Sequence, residues 1–274
     1  MTRVILPSLV VAALVAAGCA SALHEPTPID KLAPHKANGR SADELMRDAD
    51  AAWARHGEPG KAAAAQDLYL DAAASDDKRV EAVLGAMRAM TYRIEHDKTV
   101  GDRGVLAEHE VELGQWCQRR APTNGECDYR LAIALGQQAR ERTSTGKDAM
   151  GKMVDLLHRA IERAPQLESG GPHRVLAIVL VRAPSWPVGP GDPEAALEQA
   201  QAAAKAFPNT ADNQLTLGEA LAANDKRGEA HVAYRKAHEL AEAAKRAGDP
   251  EADGWLKDAK AGIENTEGAS ASTP

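Results

Sequence analysis

Between Thr210 and Glu242 small residues and one large ring recur at fixed intervals: Leu217-Gly218, Leu221, Ala230, Tyr234 and Ala237. That spacing fits two antiparallel helices. Gly218 and Ala230 let their backbones approach closely, and Tyr234 fills the gap that the hairpin shares with the next one. A hairpin of this kind cannot bury its own apolar face, so the chain is constrained to stack several of them. Earlier segments carry the same second-helix signature. Ala196, Ala200 and Ala203 precede Pro208, and the same small-residue-then-proline ending recurs at Ala160/Pro165 and Cys117/Pro122, with 43 residues between successive prolines. At the front, Ala65, Tyr69 and Ala72 repeat the spacing with Asp77 in the proline's place. The second unit is the least regular, because Glu110 and Gly114 stand where an alanine and an aromatic are expected.

The Leu217–Ala237 pattern resembles the tetratricopeptide repeat (TPR). The expected fold is therefore all-α: a TPR-like, right-handed solenoid of about five helix pairs with a C-terminal capping helix. The pairs are expected at 42–56/60–74, 77–95/103–120, 126–143/147–164, 171–183/192–207 and 210–223/226–244, with the cap near 249–264. Composition agrees, since aromatic residues are only 3% of the chain and alanine, the strongest helix former, recurs throughout. Local start signals fall at the same places. Ser41-Ala42-Asp43-Glu44 reads as a capping box, and Asp192-Pro193-Glu194 and Asp249-Pro250-Glu251 read as N-caps followed by a first-turn proline. Trp255 and Leu256 are expected to cover the last exposed apolar face. Residues 265–274, NTEGASASTP, have nothing to bury and are expected to be disordered.

The first 18 residues form a different unit. Arg3 precedes an apolar run from Val4 to Ala17 that is too short for a spanning helix and ends at Ala16-Ala17-Gly18-Cys19. This resembles the lipobox of bacterial lipoproteins, which implies a signal peptide over 1–18, a lipidated Cys19, and a flexible tether over 19–40. An ordinary secretory signal with an incidental cysteine is the alternative. With Ala20 rather than aspartate after the cysteine, the expected location is the inner leaflet of the outer membrane, facing the periplasm. The repeat domain then spans 41–264. In an exported protein Cys117 and Cys127, ten residues apart around a turn, are expected to form a disulfide; metal binding by two isolated thiols is the weaker reading.

The stretch RAPSWPVGPGDPEAALEQAQ (182–201) lengthens the turn inside the fourth pair. It follows Gly170-Gly171-Pro172-His173-Arg174 and the apolar run VLAIVLV. From Ser169 to Ala206 the order of helix start, apolar helix, Ala-Pro stop, Gly-rich turn and Gly-Asp-Pro-Glu resembles the T component of tripartite ATP-independent periplasmic (TRAP) transporters. The resemblance implies an exported scaffold that associates with a periplasmic solute-binding protein and accommodates a small ligand. Trp186 in this turn is either an exposed contact or a lid packed on neighbouring helices.

Catalytic and nucleic-acid signatures are missing. The formal charge is −7 with no basic block, which disfavours nucleic acid, and no HExxH, CxxC, GxSxG, Walker A or GxGxxG stretch occurs. No cofactor or metal is expected, and the chain reads as a non-enzyme that can oligomerise. Projecting the repeat onto the first helices puts Arg130, Gln137, Arg140, Arg174 and Arg182 near the concave wall, with Asp212, Leu215 and Glu219 from the last repeat. The leading reading is thus a lipid-anchored scaffold that binds an envelope protein. The alternative is a module that holds a small anionic or amphipathic ligand through its arginines, unless these pair with acids of adjacent helices.

Overall fold

Alternating pairs of small and large residues set the helix packing throughout the computed structural model, which describes residues 21–34 and 39–268. Twelve α-helices are found among them: α1 Ile29–Leu32, α2 Ala42–Trp53, α3 Lys61–Ser75, α4 Val80–His96, α5 Arg103–Arg120, α6 Gly125–Glu141, α7 Gly146–Arg163, α8 Gly171–Arg182, α9 Pro193–Ala206, α10 Ala211–Ala223, α11 Arg227–Arg246 and α12 Ala252–Thr266. From α2 to α11 they form the five expected hairpins, each packed on the next, and α12 caps the array against α11 and α10. None of these helices is long and apolar enough to cross a membrane. Cys19, the proposed signal segment and the last six residues lie outside the described residues.

The repeat alanines Ala65, Ala72, Ala160, Ala196, Ala200, Ala203, Ala230 and Ala237 are fully buried. Each of three large rings faces a glycine of another helix, Tyr69 and Tyr129 one that follows and Tyr234 one that precedes. A Cβ at Gly85 would stand 2.7 Å from the Tyr69 ring, one at Gly171 2.5 Å from the Tyr129 hydroxyl, and one at Gly218 2.7 Å from the Tyr234 ring. In the irregular second unit the roles are exchanged. Gly114 brings α5 against the backbone of α6, where a Cβ would meet Leu131 at 2.8 Å, and Glu110 is wholly buried in the alanine position.

The Ser41 capping box forms: Ser41 N–H donates to Glu44 at 2.8 Å and Glu44 N–H donates back to the hydroxyl at 3.3 Å. Asp192 caps α9 by accepting from Ala195 N–H at 3.0 Å. Asp249 departs from expectation. Its carboxylate accepts from Glu251 N–H at 2.9 Å inside the preceding turn, and α12 begins at Ala252 with Glu251 in the cap position. Cys117 and Cys127 are joined, with α-carbons 5.4 Å apart, tying the last turn of α5 to the first turn of α6.

Two features differ from the sequence reading. The first concerns the segment expected to be a tether: residues 21–33 lie along α5 instead. Gln115 donates to His24 O at 2.7 Å, Trp116 Nε1 to Thr27 O at 2.8 Å, and Arg119 makes two 2.8 Å bonds to Glu25. Ala22 N–H donates to Asp148 Oδ2 at the start of α7 (2.7 Å), and Ile29 is buried. Ahead of α1 the segment is extended, and the His24 and Thr27 carbonyls are free for the side-chain donors that α5 presents.

The second difference is the extent of the curvature. The α11–α12 turn reaches the opposite end of the array, where Pro250 stands 3.6 Å from the position of a Cβ on Gly57, and Glu251 lies 3.1 Å from His96 Nε2 at the end of α4. His96 is tilted against Tyr92, which meets His56 and Trp53 edge-on, so an aromatic cluster backs the closure. The stack therefore curls until its cap meets its first two hairpins.

Candidate functional site

The curl encloses a cavity of 770 Å³. Its walls are Ile178 and Arg182 of α8, Asp212, Leu215, Thr216 and Glu219 of α10, Tyr234 of α11, and the exposed turn-facing side of α12, with Glu95 of α4 opposite. The first helices α4, α8 and α10 supply about half of the inner wall, with Tyr234 from the second helix α11. The cap supplies the rest. Trp255 does not cover an apolar end face as the sequence implied; it lines the cavity. The cap packs instead through Ala252, Ala259 and Gly262, the last of which lies directly against the Tyr234 ring. Small residues give α12 a closer seat on α11 than an indole would allow, and that leaves Trp255 on the side facing inward.

The lining carries five carboxylates, Glu95, Asp212, Glu219, Glu251 and Asp258, against one guanidinium, Arg182. Arg182 is already engaged: it donates to both oxygens of Glu219 at 2.7 and 2.8 Å. Arg174 approaches Asp212 at 3.9 Å but donates to Asn213 Oδ1 at 2.9 Å and Glu168 O at 3.3 Å. Loss of solvent pushes the Asp212 carboxyl above its ordinary range, with Glu95 and Asp249 adding to the effect while Arg174 and Trp255 oppose it. Burial likewise raises Glu251, and Glu95 and Asp212 raise it further against the pull of His96. These acids perturb one another because the fold gathers like charges where water is restricted. The potential inside is negative.

The sequence-selected residues separate into three groups. Arg182 lines the cavity. Arg130 and Arg174 share Glu168 behind it: Arg130, 3% exposed, pairs with Glu168 and, at 3.4 Å, with Glu126, and lies 5.4 Å over the Tyr129 ring. Burial works against ionisation of Glu168, yet Arg130, Tyr129 and Arg174 together hold its carboxyl below the usual value. Gln137 is buried and donates to Glu95 Oε1 at 3.4 Å, so it steadies a lining carboxylate from the next helix. Arg140 is exposed at the end of α6, and Trp186 is 86% exposed on the α8–α9 turn; neither is a cavity residue. The reading of Trp186 as a packed lid is thereby corrected: the turn folds on its own backbone and leaves the indole no neighbouring helix to cover. Sequence reasoning passed over Glu95, Glu251, Asp258 and the inward role of Trp255, whose only signal was their place on α4 and α12.

No family model matches the chain, and no curated protein matches it. Among solved structures, a thermophilic TPR protein of Thermus thermophilus is similar, with a TM-score of 0.56 and 19% identity over 77% of this chain and 98% of that one. The fold is TPR-like. At this identity the likeness concerns architecture, and it bears out the all-α helical-repeat expectation together with the five hairpins and the cap.

Proposed function

We propose that the protein is a lipid-anchored, periplasm-facing TPR-like scaffold whose cavity takes a cationic group, a lysine or arginine side chain, from an envelope partner. The partner favoured by the resemblance over 169–206 is the solute-binding protein of a TRAP-type transporter. One observation carries the choice of ligand charge: four lining carboxylates, Glu95, Asp212, Glu251 and Asp258, face the cavity without a guanidinium committed to any of them at hydrogen-bonding distance, whereas Arg130, Arg174 and Arg182 already have acidic or amide partners. An incoming anion would have to displace those partners. A cation instead relieves repulsion already present, and the rings of Trp255 and Tyr234 offer π faces beside the carboxylates.

The test is titration of the full chain with tetralysine and tetraglutamate peptides, read by the part of the tryptophan emission change that Trp255→Phe removes. Tetralysine is expected to bind, more weakly as salt rises, and about tenfold more weakly to the Glu95→Gln/Glu251→Gln/Asp258→Asn variant. Because Asp212 and Glu251 hold their protons to higher pH than ordinary carboxyls, binding is also expected to weaken early on acidification. Equal binding of the two peptides, or no effect of the triple variant, would end the cationic reading. Cross-linking in whole cells addresses the partner separately: recovery of a TRAP-type solute-binding protein with the parent and its loss with the triple variant is the expected pattern.

A further inference from the structure

The α8–α9 turn, residues 183–192, contributes nothing to the cavity, yet it is firmly built. Gly191 N–H donates to Pro184 O at 2.9 Å, Val188 N–H to Ser185 O at 3.1 Å, and Asp192 N–H to Leu180 O at 3.0 Å. Gly189 lies so close to the Pro184 carbonyl that a Cβ there would stand 2.7 Å from it. The result is a fixed projection that holds Trp186 (86% exposed) and Val188 (60% exposed) in water. An ordered loop that presents an indole and an isopropyl group to solvent has done so at the expense of burying them, and such groups usually meet something.

Topology says what lies beside it. In a stack of hairpins, every turn inside a pair is on one edge, so the end of α8 and the start of α7 share an edge one hairpin apart. The amino-terminal segment arrives at that same edge, since Ala22 N–H is bonded to Asp148 in the first turn of α7 at 2.7 Å. Cys19 precedes Ser21 by two residues, a chain length of at most about 7 Å. Between Ala22 and the projection this edge carries exposed Arg140, Arg142 and Lys147 together with exposed Glu141, Asp192 and Glu194, and Arg142 is paired to Glu108 at 2.7 Å.

Resting on the reading of Cys19 as a lipid attachment site, we propose that Trp186 and Val188 enter the interface of the leaflet that carries the acyl chains. The protein thereby gains a second membrane contact that fixes which edge of the array faces the bilayer. Tryptophan suits the boundary because its ring is apolar while its N–H stays with the headgroups. A single edge held at two points leaves the opposite edge, where the turns between pairs lie, directed toward the aqueous space.

The full chain, purified from its own membranes and reconstituted into phosphatidylethanolamine/phosphatidylglycerol vesicles with brominated acyl chains, tests this. Mass spectrometry first establishes whether Cys19 is acylated. With acylated protein, bromolipid is expected to quench tryptophan emission, and Trp186→Ser is expected to remove more than half of that quenching. Val232→Ser, on the outer face of α11, is expected to leave it unchanged. Unchanged quenching in Trp186→Ser overturns the second contact and leaves the anchor standing. An unmodified Cys19 overturns the anchor and the contact together. Dimerisation of the parent in sedimentation that Trp186→Ser abolishes would assign the projection to a second copy and overturn the membrane contact. Trp186 is so exposed that its removal leaves the packing intact, which an unchanged thermal midpoint verifies.

Discussion

Gly218→Val is expected to destabilise the array by about 3 kcal/mol or more, seen as a lower urea midpoint with an unchanged slope. A helix-interior glycine normally gains by substitution, and valine would bring about 0.5 kcal/mol of helix propensity. Here that gain is overridden. The new Cβ would stand 2.7–2.9 Å from three atoms of the Tyr234 ring, well inside contact distance. The ring cannot retreat, because Gly262 of α12 lies against it on the cap side. Moving Tyr234 therefore means moving the cap, which closes the cavity through Glu251 and Trp255. A double-mutant cycle separates crowding from a plain propensity effect. Gly218→Ala combined with Tyr234→Leu is expected to cost at least about 1 kcal/mol less than the sum of the single changes. Strict additivity would show that ring and glycine do not share one space.

That interaction was legible from spacing alone, as was the order of the hairpins, while the limits of α2, α4 and α12 fall up to three residues from the expected ones. Gly218, Ala230 and Tyr234 announce their roles through intervals fixed by the 3.6-residue turn. Closure was not legible. Whether Pro250 meets Gly57 depends on small rotations accumulated over five hairpins, and no single interval encodes their sum. The cavity's charge was hidden for the same reason: Glu95 and Glu251 are far apart in sequence and become neighbours only when the stack curls. The arginines illustrate a different limit. Register placed Arg182 on the correct wall, but only the coordinates reveal that Glu219, from the next hairpin, already occupies its guanidinium. The amino-terminal segment misled through composition, since the same prolines and polar residues that describe a tether also describe an irregular segment, ending in the short α1, held by donors from α5.

Glu110 gives the largest pH dependence expected of this chain. It sits fully buried in the alanine position of α5, accepting from Thr91 Oγ1 at 2.5 Å through one oxygen while the other has no partner. Burial pushes its carboxyl up from 4.5 to about 8; the Thr91 bond and Arg130 pull the other way, and Glu95 adds to the rise. Below the unfolded value both states hold the proton and the group costs nothing. Between that value and about 8 the unfolded chain has released a proton that the folded chain retains, so stability falls by about 1.4 kcal/mol per pH unit. The loss is complete once pH has passed the folded value, and amounts to about 5 kcal/mol at most. Asp212 and Glu251 act in the same direction from partly exposed positions, whereas Glu168, held low by Arg130, acts oppositely. Subtracting a variant isolates Glu110. Glu110→Gln keeps an acceptor for Thr91 and cannot ionise, so its urea midpoint is expected to lie near the parent's at pH 5 and clearly above it at pH 8.5. Curves that run parallel from pH 5 to 8.5 would mean that Glu110 ionises in the folded protein as it does in water, and that the pocket around it is wetter than its burial implies. The same measurement bears on the cavity. Glu95 contributes to holding the proton on Glu110, so a cation seated against Glu95 is expected to lower that value and end the parent's stability loss at a lower pH, coupling occupancy of the inner wall to the stability of the hairpin behind it.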